Sequence, residues 1–243
     1  MRYKDMARSS EFAEYIVLAN ALRGVSLGEL ASLPESSRFS FFVNLYNALI
    51  IHATCVIGAP ENSPEARSRF FNGSTGARYR IGGVDFSPDD IEHGILRANA
   101  PHPSSGRSSY FSEDDPRRGL CMAAIDPRLH FLLNCGARSC PPIQVLRGDP
   151  EPALRLAAAS YLDQEVRVRV GEGGAKLVLP RLLLWYGEDF ARSVRDRVRL
   201  VLLLMSEDRR RDISSELNLH FPDGVQDSDV EYSSYDWSAN FAE

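Results

Sequence analysis

Apolar residues recur at three- and four-residue intervals over residues 11–33 and again over residues 37–55. This spacing puts the apolar side chains on one face of an α-helix, so the pattern predicts two N-terminal helices. Comparable patterns and a proline start signal predict further helices over "DPEPALRLAAASYLDQ", over residues 181–205 with an interruption near residue 187, and around residues 209–218. Residues 58–79 are expected to form a loop with one helical turn around residues 64–71. The chain is therefore expected to be mainly helical.

Two other segments, "YRIGGVDF" and "EVRVRVGEGGAKLVLP", alternate apolar and other residues on both sides of a glycine-containing turn. Alternation with a period of two is typical of strands, and adjacent glycines favour the tight turn of a hairpin. After the first hairpin, Ser87 is the expected N-cap and Pro88 the first residue of a helix that ends near Ala98. These elements together predict an α+β fold with small antiparallel hairpins.

The whole chain, residues 1–243, is expected to form a single domain. Its N-terminal helices would occupy residues 10–55, a core with the candidate site would occupy residues 78–205, and residues 206–243 would form a C-terminal tail. The tail carries Tyr232, Tyr235 and Trp237, which makes it too aromatic for a solvated terminus. We therefore expect the tail to dock on the body.

Charge and composition exclude several classes of protein. Lys and Arg total 28 against 33 Asp and Glu, a net charge of -5, which does not favour nucleic acid. The apolar run at residues 200–205 is far shorter than a membrane-spanning helix, and residues 1–17 lack the apolar stretch of a secretion signal. We expect a cytoplasmic protein with no membrane or nucleic-acid partner, while its oligomeric state stays open.

The segment "HFLLNCGARSCPP", residues 130–142, concentrates the candidate chemistry. If a helical turn begins at Pro142, Cys140 lies near its positive end, where a thiolate is favoured. Cys135, beside the apolar run, is expected to be the more protected thiol. The alternative interpretation is an inert buried cysteine next to a turn. The chain's four cysteines lack the CxxC spacing of a thioredoxin motif or a zinc ribbon.

Two histidines are candidate bases for such a thiol. His130 lies in an apolar run, where a histidine usually makes buried hydrogen bonds, but a turn at Gly136 would let it meet Cys140. Glu92 and His93 project about 100° apart on the predicted helix, and Arg97 shares the face of His93. Either this is an ordinary capped surface helix, or His93 is a base or orienting group with an acid nearby.

Polar residues inside the second apolar helix suggest a structural network. Asn44 and Asn47 lie three positions apart on one face, and a buried amide needs partners that can fix a neighbouring loop. A metal site would recruit the candidate ligands Glu92, His93, His130, Cys135 and Cys140. None of these pairs has the spacing that makes a metal site specific, so we predict no metal and no cofactor.

Five blocks, "FFVNLYNALIIHA", "IGGVDFSPDDIEHGILR", "DPRLHFLLNCGARSCPPI", "LLLWYGEDF" and "EYSSYDWSAN", together resemble the family called domain of unknown function 547. They follow the family's order over about residues 41–240. The resemblance implies a single domain, found in some proteins beside glutaredoxin-like, DEP or leucine-zipper segments. The positions that match the family's motifs are Asn44, Asn47, Glu92, His93, Arg97, Arg128, His130, Cys140, Pro141 and Asp189.

The leading functional hypothesis is a cysteine hydrolase or acyl-transferase acting on a peptide or amide-type bond, with a papain- or transglutaminase-like architecture as a candidate. Cys140 would attack the carbonyl, His130 or His93 would carry the proton, and Glu92 would orient the imidazole. Substrate-binding residues would be Arg97, Arg128 and Asn134. The alternatives are a non-catalytic protein-interaction domain and a thiol redox protein that uses Cys135 and Cys140.

Overall fold

Helices make up most of the regular structure in the computed structural model, which describes residues 3–105 and 108–240. Short strands pair into two small sheets, so the chain is the mainly helical α+β protein that its periodicity predicts. Two compact units divide it. The first comprises the described residues of Met1–Ile125, Leu133–Pro150 and Asp236–Glu243, and the second comprises Asp126–Leu132 and Glu151–Tyr235.

The first unit is built mainly from N-terminal helices. They are α1 (Tyr3–Met6), α2 (Ser10–Ala21), α3 (Leu27–Ser32), α4 (Glu35–Ile57) and α5 (Pro64–Asn72), with 3₁₀ turns at Leu22–Gly24 and Pro116–Leu120. A hairpin of β1 (Tyr79–Ile81) and β2 (Val84–Phe86) precedes a π-helix at Asp90–Leu96.

The single helix predicted over residues 11–33 is wrong, because α2 and α3 are separate helices. Val25 has extended backbone, and Ser26 starts α3 with a capping box in which its hydroxyl accepts the Glu29 N–H while the Glu29 carboxylate accepts the Ser26 N–H. A capping box satisfies the free N–H groups of a new helix start, so it favours a break over a continuous helix.

Helix α4 forms the core of the first unit. Phe42, Val43, Tyr46, Leu49 and Ile50 are each at most 2% exposed. The helix is long and apolar enough to cross a membrane by length and composition, and 56% of its most apolar window is buried inside the structure. Because the core helix of a water-soluble protein passes the same test, this finding is weak evidence for a membrane.

The predicted helix after the first hairpin is present, but it winds as a π-helix. Its start is as expected: the Ser87 hydroxyl accepts the Asp90 N–H at 3.1 Å, and the Asp90 carboxylate accepts the Ser87 N–H at 2.8 Å. Further along, the Arg97 N–H reaches the Glu92 carbonyl at 2.8 Å, a hydrogen bond across five residues. Such wider turns are frequent at functional sites, since they shift the faces of the side chains.

The second unit combines the C-terminal helices with a three-stranded sheet. Its elements are a 3₁₀ turn at Pro127–Phe131, α6 (Glu151–Glu165), β3 (Arg167–Gly171), β4 (Gly174–Leu179), α7 (Leu182–Trp185), α8 (Gly187–Phe190), α9 (Val194–Leu204), α10 (Glu207–His220), a 3₁₀ turn at Asp227–Asp229 and β5 (Val230–Tyr232). Strands β3 and β4 form the predicted hairpin, and β5 adds a parallel strand beside β4.

The expected interruption near Gly187 is confirmed, and it separates α7, α8 and α9. The guanidinium of Arg197 packs against Gly187, where a Cβ would lie 2.4 Å from its carbon. The same guanidinium donates to the carbonyls of Gly187 and Ala191 and to the hydroxyl of Tyr232. The Arg197 guanidinium therefore supplies hydrogen-bond donors to carbonyl groups where the helix is interrupted, and it connects this region to β5.

The described part of the C-terminal tail, up to Asn240, packs on the protein. In the second unit, the ring of Tyr235 makes an edge contact with Trp185 at 5.1 Å between centroids. In the first unit, the Arg67 guanidinium lies over the Trp237 ring at 4.3 Å. The aromatic residues that prompted the docking prediction thus have aromatic or cationic partners.

Asn44 of α4 holds a distant segment in extended form. Its Nδ2 donates to the Leu146 carbonyl and its Oδ1 accepts the Leu146 N–H, each at 2.9 Å. The side-chain amide thereby replaces both hydrogen bonds that a neighbouring strand would supply. This is the structural network predicted for the two asparagines of α4.

We expect Asn44→Ala to lower the free energy of unfolding by about 1–3 kcal/mol, because it leaves both backbone groups of the buried Leu146 without these partners. Urea unfolding followed by circular dichroism measures the loss. The matched control is Asn20→Ala, which removes one exposed bond to a carbonyl of its own helix and should cost less than about 0.5 kcal/mol. Equal losses in the two variants would contradict the role given to Asn44.

Candidate functional site

Residues 134–141 form a closed loop that places two thiols opposite each other; we call it the thiol loop. The side chain of Asn134 bridges its two arms, since Oδ1 accepts the Gly136 N–H and Nδ2 donates to the Pro141 carbonyl, both at 2.8 Å. Gly136 has φ 88°, the left-handed conformation that favours glycine and makes the predicted turn. Cys135 and Cys140 lie just inside the bridge.

Two other parts of the first unit hold the thiol loop from outside. The Asn47 side chain of α4 accepts the Asn134 N–H at 2.9 Å, as the predicted network requires. The C-terminal tail pairs with the loop through backbone hydrogen bonds. The N–H groups of Arg138 and Ser139 donate to the carbonyls of Ser238 and Asp236, respectively, and the N–H of Asn240 donates to the Gly136 carbonyl. The loop is therefore an ordered element of the first unit.

The two sulfur atoms are in contact. Cys140 Sγ accepts the Cys135 N–H at 3.1 Å, and the Sγ atoms of the two residues are 2.8 Å apart as free thiols. Both residues are half-buried. Cys135 lines a cleft with about 400 Å³ of open space, whose walls include Thr54, Phe71 and Trp237.

The helical turn predicted at Pro142 is wrong. Residues 141–147 have no helical structure, because the double proline favours extended backbone and Asn44 fixes Leu146 in it. The electrostatic environment of Cys140 therefore does not include the helix end that the sequence suggested. The donor that the structure places at its sulfur is the backbone N–H of Cys135 instead.

The π-helix buries Glu92 and His93, at 8% and 1% exposure, together with Arg97 at 4%. This burial excludes the ordinary surface helix. The Arg97 guanidinium donates to His93 Nδ1 at 2.9 Å and to the Pro101 carbonyl at 2.9 Å. Arg97 thus fixes the His93 ring and the start of the following loop.

A second histidine, His102, joins this cluster from that loop. Its ring lies 4.6 Å from the ring of His93, and His93 Nε2 lies 4.0 Å from a carboxylate oxygen of Asp89. Neither Asp89 nor His102 is among the candidate residues that the sequence indicated. The signal for Asp89 was its four-residue spacing from His93, which places the two side chains on one helix face.

Asp89, His93 and His102 each offer a potential metal-ligand atom, and these atoms all lie within 4.8 Å of one another. The tautomers of the histidines oppose a metal. His93 Nδ1 accepts from Arg97, and His102 Nδ1 accepts the Ser104 N–H at 3.1 Å. In each neutral ring the other nitrogen then carries the proton, so neither ring has a free lone pair for a cation.

In the second unit, His130 forms a pair with a buried carboxylate. Its Nε2 lies 2.8 Å from Asp189 Oδ2, and the side chains are 2% and 6% exposed. The ring stacks on Tyr186 at 3.9 Å between centroids. Since the carboxylate accepts the Nε2 proton, the neutral ring keeps the lone pair of Nδ1.

Arg128, a predicted substrate-binding residue, is engaged by two carboxylates. Its Nε and Nη2 donate to Asp126, and its Nη1 and Nη2 donate to Glu151, at 2.6–3.2 Å. These bonds join the 3₁₀ turn to the start of α6 and raise the pKa of Arg128. Asn134 and Arg97 also have structural partners, and substrate binding by all three stays a prediction.

The candidate residues are distributed over both units. Glu92, His93, Arg97, Asn134 and Cys140 belong to the first unit, and Arg128 and His130 belong to the second. Within the first unit, the candidates fall into the thiol loop and the π-helix cluster. Within the second, His130 gains Asp189 as a partner, a residue that only the family resemblance indicated.

Comparison with known families gives one match. The model of the family described as "Protein of unknown function, DUF547" matches residues 30–162, more than half of the chain. The chain therefore belongs to this family, as its sequence blocks predict. The match contains α4, the π-helix and the thiol loop, whereas Asp189 lies beyond it.

No curated protein and no solved structure matches the chain. A papain- or transglutaminase-like architecture and the catalytic roles of the candidate residues consequently stay predictions.

The pKa of Asp89 provides a test of the π-helix cluster. Burial, with the negative charges of Glu92 and Asp90, raises this pKa to about 7. Folded Asp89 therefore retains its proton above about pH 4, where the unfolded carboxyl has lost it. Its contribution to stability is present at low pH and decreases as the pH rises towards 7.

We expect Asp89→Asn, which cannot ionise, to gain stability relative to the wild type by about 1–3 kcal/mol between pH 4.5 and pH 7.5. Urea unfolding across this range measures the difference. The matched control is Asp114→Asn in the same unit, which is exposed and should show no such trend. A stability difference that does not change with pH, or that falls, would contradict the raised pKa.

Proposed function

We propose that this protein is a cysteine-dependent hydrolase or acyl-transferase that acts on a peptide or amide-type bond, with Cys140 as its nucleophile. The observation that carries the proposal is the backbone N–H of Cys135 fixed 3.1 Å from Cys140 Sγ. A donor held at the sulfur stabilises a negative charge there, and the thiolate is the nucleophilic form of cysteine. The ordered loop around it keeps this donor in place.

In the proposed reaction, Cys140 Sγ forms a bond to the carbonyl carbon and the C–N bond breaks. The amine leaves with a proton from the protonated base, and the acyl group stays on sulfur as a thioester. Water then hydrolyses the thioester to a carboxylic acid, or an acceptor amine takes the acyl group. Either step restores the thiol.

The two candidate bases, His93 and His130, differ in the hydrogen bonds of their rings. A base needs a free lone pair, and the Nδ1 lone pair of His93 accepts from Arg97. His130 has its Nε2 proton bound to Asp189, which leaves the lone pair on Nδ1. Glu92 is the orienting acid that we propose for His93, and Asp189 is the carboxylate bonded to His130.

The cleft beside the thiol loop supports a peptide or protein substrate. Its walls include the aromatic side chains of Phe71 and Trp237. Gly136 and Ala137 line it, so backbone as well as side chains forms its wall.

A thiol redox function is the second candidate, favoured by the 2.8 Å distance between the sulfur atoms of Cys135 and Cys140. A disulfide needs an approach of only about 0.8 Å more. The balanced reaction takes oxidised glutathione as oxidant: two thiols become a disulfide, and the oxidant becomes two molecules of reduced glutathione.

The test is acylation by p-nitrophenyl acetate at pH 7.5. We expect acetyl transfer to Cys140 before Cys55 and Cys121, seen by peptide mass spectrometry and by p-nitrophenolate release. His93→Ala and His130→Ala test the two candidate bases, and loss of the base should slow the transfer at least tenfold, since general base catalysis contributes about 100-fold or more. His220→Ala is the matched control and should leave the rate unchanged, and Cys135→Ser should retain the transfer.

Other outcomes separate the alternatives. If Cys140 reacts at the rate of a free thiol in the wild type and in both histidine variants, or does not react in the folded protein, the non-catalytic interaction domain gains support. If the transfer is absent, and oxidised glutathione instead joins Cys135 to Cys140 at millimolar concentration, the redox function replaces the hydrolase.

A further inference from the structure

A second cleft in the first unit lies away from all the predicted site residues. It is lined by residues of α2, of α4 and of the segment that leads into β1, and it has about 760 Å³ of open space. We call it the His52 cleft, after a histidine of α4 in its wall. None of the candidate catalytic residues lines it.

The His52 cleft is positive in a protein of net charge -5. Arg23, Arg78 and Arg80 line it, and no Asp or Glu does so among the described residues. Asp85 is the shared counterion of Arg78 and Arg80, at 3.6 and 3.7 Å, longer than hydrogen-bond distances. One carboxylate thus faces two of the three guanidinium groups, which leaves excess positive charge for an anion.

The rest of the lining is largely apolar and partly in water. Ala19, Leu49 and Ala53 line the cleft together with Ile16, Val56 and Ile57. The last three are 36%, 61% and 56% exposed, respectively. Removing exposed aliphatic side chains from water lowers the free energy, so a ligand that covers these side chains binds more tightly.

Polar groups also line the cleft. Tyr79 in β1 bonds through its hydroxyl to His52 Nδ1 at 2.9 Å and to the Tyr15 hydroxyl. Arg78 Nε is buried and has no hydrogen-bond partner, an unusual cost for a buried donor. Burial lowers the pKa of His52, so at neutral pH the ring adds no charge to the arginines.

We propose that the His52 cleft binds a small anionic amphiphile, a molecule with a carboxylate or phosphate group for Arg23 and Arg80 and an aliphatic chain for the wall formed by α2 and α4. The presence of cationic and exposed aliphatic side chains in one cleft defines this chemistry. A purely apolar ligand would leave the arginines unused, and a free inorganic anion would leave Val56 and Ile57 in water. The site is independent of Cys140.

The experiment is isothermal titration calorimetry of the full chain with decanoate, decyl phosphate and decanol, each below its micelle concentration, and with inorganic phosphate. We expect both decyl anions to bind at least tenfold more tightly than decanol and phosphate. Arg23→Gln and Arg80→Gln should each weaken decanoate binding about fivefold to tenfold. Arg118→Gln, an exposed arginine outside the cleft, is the matched control and should have no effect.

The relative affinities of decanoate and decyl phosphate distinguish a fatty acid from a phosphate ester as the preferred source of the anion. Equal affinities for decanoate and decanol would overturn the proposal, and so would equal losses in Arg118→Gln and Arg80→Gln. Binding to anionic phospholipid vesicles with no binding of monomeric decanoate would also overturn it, in favour of a membrane-docking surface. Cys140→Ser should bind decanoate like the wild type, which separates this outcome from that of the proposed catalysis.

Discussion

The three hydrogen bonds of Asn134 are the constraint on which the thiol loop depends. Its backbone N–H binds Asn47, its Oδ1 binds the N–H of Gly136, and its Nδ2 binds the carbonyl of Pro141. A buried amide that bonds both arms of a loop contributes more to stability than the sum of its separate hydrogen bonds, because its loss leaves several buried groups unpaired. The contact between Cys135 and Cys140 follows from this closure.

The environments of the histidines decide what each can do. His93 and His102 accept hydrogen bonds at Nδ1, so their remaining nitrogens carry protons and face a carboxyl whose pKa is raised. His130 has the opposite arrangement, because Asp189 binds its Nε2 proton. The neighbours of each ring thus set which of its nitrogens carries the proton, a difference that a list of histidines in a sequence does not contain.

Local sequence patterns predicted much of the fold. Most differences between the predicted and the observed structure come from tertiary contacts. The structure contains several features that short stretches of sequence predict. They are the hairpins at the paired glycines, the helix cap at Ser87, and the hydrogen-bond network of Asn44 and Asn47 inside an apolar helix. The helix expected at Pro142 fails because a side chain 102 residues away fixes Leu146 in extended form. The loop after the π-helix also turns back to place His102 beside His93, although its polar composition gave no sign that His102 would be half-buried.

The central claim, that the Asn134 amide sets the geometry of the two thiols, is tested by the affinity of the folded protein for phenylarsine oxide, a reagent that bridges neighbouring thiols. Asn134→Asp keeps the acceptor for Gly136 but loses the donor to Pro141. We predict that the wild type binds one equivalent through Cys135 and Cys140, and that Asn134→Asp binds at least tenfold more weakly while circular dichroism shows it folded. Cys135→Ser should abolish this binding. Equal affinity of Asn134→Asp and the wild type would contradict the account.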